Sequence, residues 1–143
     1  MGLVLSIVMA ALLTIMAGSV YAADEEEADS SEPAVLDRPI YVPLKPAFVV
    51  NYGGQGKLKY LKVEMSVRLK DTEAANAVRH HMPLVRNSLV MLLSKQTDTS
   101  IDTQESKELL RQTALADIQA LLSEEDGKHG VVDLFFNNFV VQR

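Results

Sequence analysis

The chain contains no cysteine, and that absence excludes disulfide staples, thiolate metal sites, iron–sulfur clusters and cysteine nucleophiles. It also lacks a basic excess: 14 lysines and arginines stand against 19 acidic residues, for a formal charge of -5. The acidity is local. Asp24, Glu25, Glu26, Glu27, Asp29 and Glu32 supply six of those acids within nine positions, so residues 33–143 hold thirteen acids against fourteen bases. A body this close to neutral has no positive stripe of the kind that phosphate-backbone binding requires, which argues against nucleic acid as a partner. Length sets a further bound: 143 residues allow one hydrophobic core and leave no room for a multidomain enzyme.

No charge interrupts residues 3–23, where Leu, Val, Ile, Met and Ala dominate and Ser6, Thr14, Ser19 and Tyr21 are the clearly polar groups. Such a segment enters a membrane. At about 1.5 Å per residue it reaches roughly the 30 Å of a hydrocarbon core, long enough for a retained anchor. Its end is mostly small residues, and Val20 and Ala22 occupy the minus three and minus one positions of a cleavage after Ala22, as in a signal peptide. No Lys or Arg precedes the apolar run to set its orientation in either case. Residues 1–23 are therefore a signal peptide or a membrane anchor, and both readings send the remainder across the membrane. Residues 24–46 follow as an acidic, Pro-rich linker, with Pro33, Pro39, Pro43 and Pro46 among the chain's 5 prolines. This composition stays extended and solvated, and the segment spans at most about 75 Å.

Residues 47–143 carry the patterns of a folded domain. Phe48, Val49 and Val50 form a short apolar run, and the following Asn51, Tyr52, Gly53, Gly54, Gln55 and Gly56 supply turn chemistry for a hairpin. The returning strand is the clearest periodic signal: Leu61, Val63, Met65, Val67 and Leu69 alternate with Lys62, Glu64, Ser66, Arg68 and Lys70, one face buried and one wet. Asp71 or Thr72 can cap a helix through His81, which breaks or kinks at Pro83. Leu84, Val85, Leu89, Val90, Leu92 and Leu93 then predict a helix apolar on most sides and central to the core. Asp102 and Glu105 have capping-box spacing before a further helix, with Leu110, Ala114, Leu115, Ile118, Leu121 and Leu122 on one side. Gly127 and Gly130 stop it, and residues 131–141 read as a final strand. The order strand, strand, helix, helix, strand gives the class α+β.

The catalytic inventory is thin. Adjacent His80 and His81 point about 100° apart on a helix and cannot close on one metal as an i, i+4 pair can. His129 lies in a Gly-flanked turn, and all three histidines read as solvated or capping groups. Ser88, Ser94, Ser106 and the threonines lack a nucleophile elbow, and Gly53, Gly54 and Gly56 lie between two strands and so make no phosphate cradle at a helix N-terminus. Glu64 and Arg68 on the wet strand face, or Asp133 beside the last strand, are candidates for a carboxylate site, but nothing in the sequence pairs them. The reading assigns no catalytic, cofactor-binding or metal-binding residue and no small-molecule substrate, and it favours a binding or scaffolding role over an enzyme.

Five segments in order carry a family resemblance: YVPLKPAFVVN (residues 41–51), KYLKVEMSVRLKD (59–71), MPLVRNSLVMLLSKQT (82–97), TQESKELLRQTALADI (103–118) and VVDLFFNNFVVQR (131–143). Together they resemble the flagellar basal body-associated protein FliL family. The most specific elements are Tyr60-Leu61-Lys62-Val63, Pro83-x-x-Arg86-Asn87, Leu110-Arg111 and Phe139-Val140-Val141-Gln142. The resemblance implies a non-enzymatic accessory of the bacterial flagellar motor that serves motility and chemotaxis. It implies a domain of the stomatin and prohibitin (SPFH-like) type on the periplasmic side of the inner membrane, homo-oligomeric as a ring, beside stator units or basal-body components. A released periplasmic adaptor that does not encircle stators is the alternative.

Overall fold

The apolar–polar alternation around Val63 builds the strand from which the rest of the domain is hung. The computed structural model describes residues 38–143; the predicted export segment, and the acidic stretch that follows it, lie outside the described residues. The described elements run β1 (Ile40–Pro43), β2 (Phe48–Tyr52), β3 (Lys59–Leu69), α1 (Thr72–His80), α2 (Met82–Ser94), α3 (Asp98–Ile101), α4 (Gln104–Asp126) and β4 (Val131–Gln142). This is an α+β domain. Among the described residues no helix is long and apolar enough to cross a membrane.

β3 pairs antiparallel with three strands. β4 follows it from Tyr60↔Gln142 to Leu69↔Val131, with irregularities at Glu64/Met65 and Arg68/Leu69. Since a strand has only two edges, β2 (Phe48↔Val63 to Tyr52↔Lys59) and β1 (Ile40↔Leu69 to Pro43↔Ser66) share the other edge end to end. Leu61, Val63, Met65, Val67 and Leu69 all point to one face and are buried. Against them pack Val85, Leu89 and Leu93 of α2 and Leu110, Ala114, Ile118 and Leu122 of α4. Both sets recur every four residues, the spacing that keeps one helix face on a sheet.

Three expectations need correction. The Pro-rich linker does not extend to residue 46, because Ile40–Pro43 is a strand and Val42 and Leu44 are buried. Pro43 sits at the strand end, where its missing N–H costs no ladder bond, and the Leu44 N–H donates to the Met65 carbonyl at 2.9 Å. α2 is not apolar on most sides in effect, since Leu84, Val90 and Met91 are exposed and only one stripe is covered. The cap of α4 is Thr103 rather than Asp102: its Oγ1 accepts from the Ser106 N–H at 3.0 Å, while Asp102 ends the short α3. The short α3 has no counterpart in the sequence pattern.

Other local expectations are met. The Asp71 carboxylate caps α1 by accepting from the Ala74 N–H at 2.8 Å. His81 separates α1 from α2, with Pro83 in the first turn of the second helix, where a missing N–H is harmless. α4 stops at Gly127, whose φ of 73° is left-handed. Gly130, at φ 59°, brings the start of β4 so close to α1 that a Cβ there would lie 2.4 Å from that of Ala74.

The register gives a direct test. Val63 is fully buried, so Val63→Asp puts an unpaired carboxylate in the core and should cost about 3 kcal/mol or more. Its neighbour Lys62 faces outward, and Lys62→Asp should cost less than about 1 kcal/mol. Urea or thermal melts showing equal loss would refute the register.

Candidate interaction surface

The helices cover one face of the sheet. On the opposite face the register aligns Tyr41–Arg68–Asp133, Pro43–Ser66–Phe135, Val49–Lys62–Val140 and Asn51–Tyr60–Gln142 in rows. Several large apolar side chains there are open to solvent: Val49 is 64% exposed, Tyr41 52%, Val140 46% and Tyr60 40%. They form two groups. Val49, Tyr60 and Val140 surround a shallow depression of about 290 Å³ together with Lys62 and Gln142. At the other end the Tyr41 and Phe135 rings lie 6.0 Å apart and tilted by 48°. Charge is sparse between the groups, where Lys62 meets Glu64 at 3.5 Å.

α4 guards the start of the β4 edge. Arg111 donates to the Leu134 carbonyl at 3.0 Å and to the Asp133 carboxylate, and the Gln119 amide donates to the Val131 carbonyl at 2.9 Å. Unpaired strand edges invite further strands, and side chains from a neighbouring helix close this one. The same guanidinium grips Glu108 through Nε at 2.8 Å and Nη2 at 2.5 Å. Those hydrogen bonds, with a further one from Gln112, hold the Glu108 carboxyl down at about 2, and they raise the Arg111 pKa above its ordinary value. Asp133, for which the sequence offers no partner, is paired with Arg111.

A second polar cluster closes the other end of the sheet. Asp98 at the start of α3 accepts from the Tyr52 hydroxyl at 3.0 Å, from Lys59, and from Arg143 Nε at 3.3 Å; Arg143 also pairs with Asp102. The hydrogen bond from Lys59 lowers the Asp98 pKa, and burial raises that of the Tyr52 phenol. The last side chain of the sequence is thus tied to a helix start, with its pKa raised chiefly by the hydrogen bond to Asp102.

The three histidines have separate settings. The His80 and His81 rings meet edge-on at 4.7 Å and 83°, and His81 Nε2 lies 3.1 Å from Asp126. His129 Nδ1 accepts from the Val131 N–H at 3.0 Å, a capping role. His80 and His129 both border an open cavity of about 1050 Å³ beside the end of α4, where Lys128 pairs with Glu73 at 2.8 Å. Among the described residues no three His, Asp or Glu side chains converge as metal ligands. Ser94 and Ser106 spend their hydroxyl protons on the carbonyls of Val90 and Thr99.

Residues 41–142 match the family model of flagellar basal body-associated protein FliL. The chain belongs to the FliL family. It is 27% identical to the flagellar protein FliL of Aquifex aeolicus over 103 residues, 72% of this chain and 62% of that protein. To the flagellar protein FliL of Escherichia coli K12 it is 27% identical over 118 residues, 80% of this chain and 72% of that one. The match therefore spans less than two thirds of the Aquifex protein's length.

Two segments that carry the FliL resemblance supply clamps within the fold. Arg86 donates to the Leu44 carbonyl at 3.3 Å and to the Pro46 carbonyl at 2.6 Å, with its guanidinium 4.2 Å from the Phe48 ring centroid. It fixes the bend between β1 and β2. Leu110 is buried on the inner face of α4, and Arg111 covers the start of the β4 edge as described. Nothing beyond the Glu108–Arg111 spacing of three residues announced the second clamp in the sequence.

The clamp on β4 has a pH signature. The folded Glu108 carboxyl is held below its ordinary value of 4.5, so the pair stabilises the fold fully above that value and fades as pH falls toward about 2. Glu108→Gln should melt below the native protein at pH 6, and the gap should close by pH 2. A gap of equal size at both would show that charge is not its source. The histidines give a second test. His80→Ala,His81→Ala should keep the fold, and the native protein should purify without stoichiometric zinc by elemental analysis. Zinc present and lost in the double variant would reverse the non-enzymatic reading.

Proposed function

We propose that this protein is a non-enzymatic accessory of the bacterial flagellar basal body, acting as a scaffold that supports stator units during swimming, swarming and chemotaxis. The observation that carries the reading is the FliL family match over nearly the whole described domain, residues 41–142. The bare sheet face agrees with it: exposed Tyr41, Val49, Tyr60 and Val140 suit a docking surface. In this reading the domain works on the periplasmic side of the inner membrane. Residues 1–23 bring it there, the residues before β1 space it from the bilayer, and an SPFH-like domain self-associates into a ring.

A tethered domain meets its neighbours at an effective concentration set by the reach of the tether, so weak contacts suffice for assembly. The second reading is a released basal-body adaptor, favoured by the small residues around Ala22 that suit a signal peptidase. Neither reading requires a cofactor.

Deletion of the gene should impair swimming or swarming, most under high viscous load, and leave filament assembly largely intact. Residues 33–143 behind an unrelated cleavable signal should rescue poorly if the native segment is a retained anchor, and fully if the protein is a released adaptor. Unchanged motility at every load, with no co-purification of stator or basal-body components, would end both readings.

A further inference from the structure

We propose that the corner of the bare sheet face formed by Tyr41, Arg68 and Phe135 is a docking site for an acidic, apolar-containing peptide segment of a partner protein. The inference rests on reading this face as a docking surface and is independent of the flagellar assignment.

Arg68 is the starting observation. It projects from the middle strand between Tyr41 of β1 and Asp133 of β4. Its Nε is shielded from water and has no hydrogen-bond partner among the described residues, while the side chain as a whole remains partly exposed. No acceptor among the described residues holds this guanidinium, and of its nitrogens only Nε is shielded, so an incoming carboxylate can pair with the terminal nitrogens. The nearest carboxylate by register does not serve. Asp133 is taken by Arg111 and by the Leu134 N–H at 2.9 Å.

Charge at the corner itself comes from Arg68; the exposed Arg38 just precedes β1, and the exposed Lys70 follows β3 and borders the cavity beside α1. The acids nearby are committed: Glu64 faces Lys62 at 3.5 Å, Asp71 caps α1, and Glu73 pairs with Lys128 at 2.8 Å. Beside this charge stand the Tyr41 and Phe135 rings, tilted against one another on rigid strands. An exposed tyrosine backed by a half-buried phenylalanine next to an arginine has the composition of an interface hot spot, because rings bury large area at little cost in rotamer entropy.

The occupant follows from that chemistry. A planar guanidinium prefers a carboxylate or phosphate with two oxygens, and the rings require apolar side chains beside it. A segment with alternating acidic and apolar residues offers both along one side. An anionic bilayer is the poorer fit, since membrane attraction of this kind uses clusters of about 4 to 8 basic residues and no such cluster is present here.

The test uses the full-length chain in detergent micelles and a fluorescein-labelled octapeptide of alternating Glu and Phe, read by anisotropy. Binding should be saturable and weakened by salt. Arg68→Gln and Tyr41→Ser should each weaken it by about fivefold or more without lowering the melting temperature by more than a few degrees. Arg68→Lys should fall between native and Arg68→Gln, and Lys107→Gln, on the helical side, should bind as the native chain does. Control octapeptides of alternating Lys and Phe, or Glu and Ser, should bind about tenfold more weakly. The proposal is overturned if Arg68→Gln binds the Glu and Phe peptide unchanged, or if the Lys and Phe peptide binds equally well. It is also overturned if the acidic peptide does not bind while dihexanoyl phosphatidylglycerol binds by calorimetry and loses that binding in Arg68→Gln. Because no step reads motility, failure here leaves the flagellar reading standing, and failure of that reading leaves this one.

Discussion

Everything in the domain depends on β3 being hydrogen-bonded along both edges and buried along one face. Its eleven residues meet β4 on one side and both β1 and β2 on the other, so it has no free edge over most of its length. Five of its side chains form the floor on which α2 and α4 rest. A one-residue slip would exchange Leu61, Val63, Met65, Val67 and Leu69 with Lys62, Glu64, Ser66, Arg68 and Lys70, so the hydrophobic pattern admits a single register.

A sheet with one long central strand leaves its flanks to be managed. The β1–β2 flank is broken by a bend, and Arg86 from α2 holds the bend through two carbonyls and the Phe48 ring. The β4 flank is continuous, and α4 reaches across it with Arg111 and Gln119. Both devices bring a polar side chain from the helical layer to a backbone carbonyl in or beside the strands. They join the two layers where apolar packing has run out, and they blunt an edge that would otherwise pair with other chains. The Asp98 cluster does the same for the chain end, binding Arg143 to α3.

These features were legible to unequal degrees. The alternation in β3, the Asp71 cap, the glycine stop of α4 and its apolar stripe were visible because each is a local pattern with a local cause. β1 was missed because its four residues lie within a Pro-rich run and its reason to be extended is β3, some 26 residues away. α3 was missed because four residues carry too little periodicity to register. The exposure of α2 was overestimated as burial because composition counts apolar residues without saying which stripe a sheet will cover. The clamps were the least visible of all. The contact of Arg111 with Asp133 joins residues 22 apart in sequence, and no spacing rule predicts it. For the surface, alternation announced that Lys62, Glu64, Arg68 and Lys70 would be wet, yet not that Tyr41, Phe135, Val49 and Val140 would stand beside them, because that requires the register of all four strands.

The two faces of the sheet then explain each other. A domain of this size is held by one covered face, and the uncovered one is free to carry exposed valines and tyrosines only if it does not become a site of indiscriminate association. Glu64 and its register partner Asn138 lie between the Val49–Lys62–Val140 row and the row of Phe135, so neither apolar group grows into a continuous patch. Each group is small, and contacts through either are correspondingly weak in dilute solution. Weak contacts become effective when the partners are confined together, since confinement replaces the entropy of encounter with a fixed local concentration. A bare, divided sheet face of this kind therefore suits the proposed docking of partners confined beside it better than the capture of partners met in dilute solution.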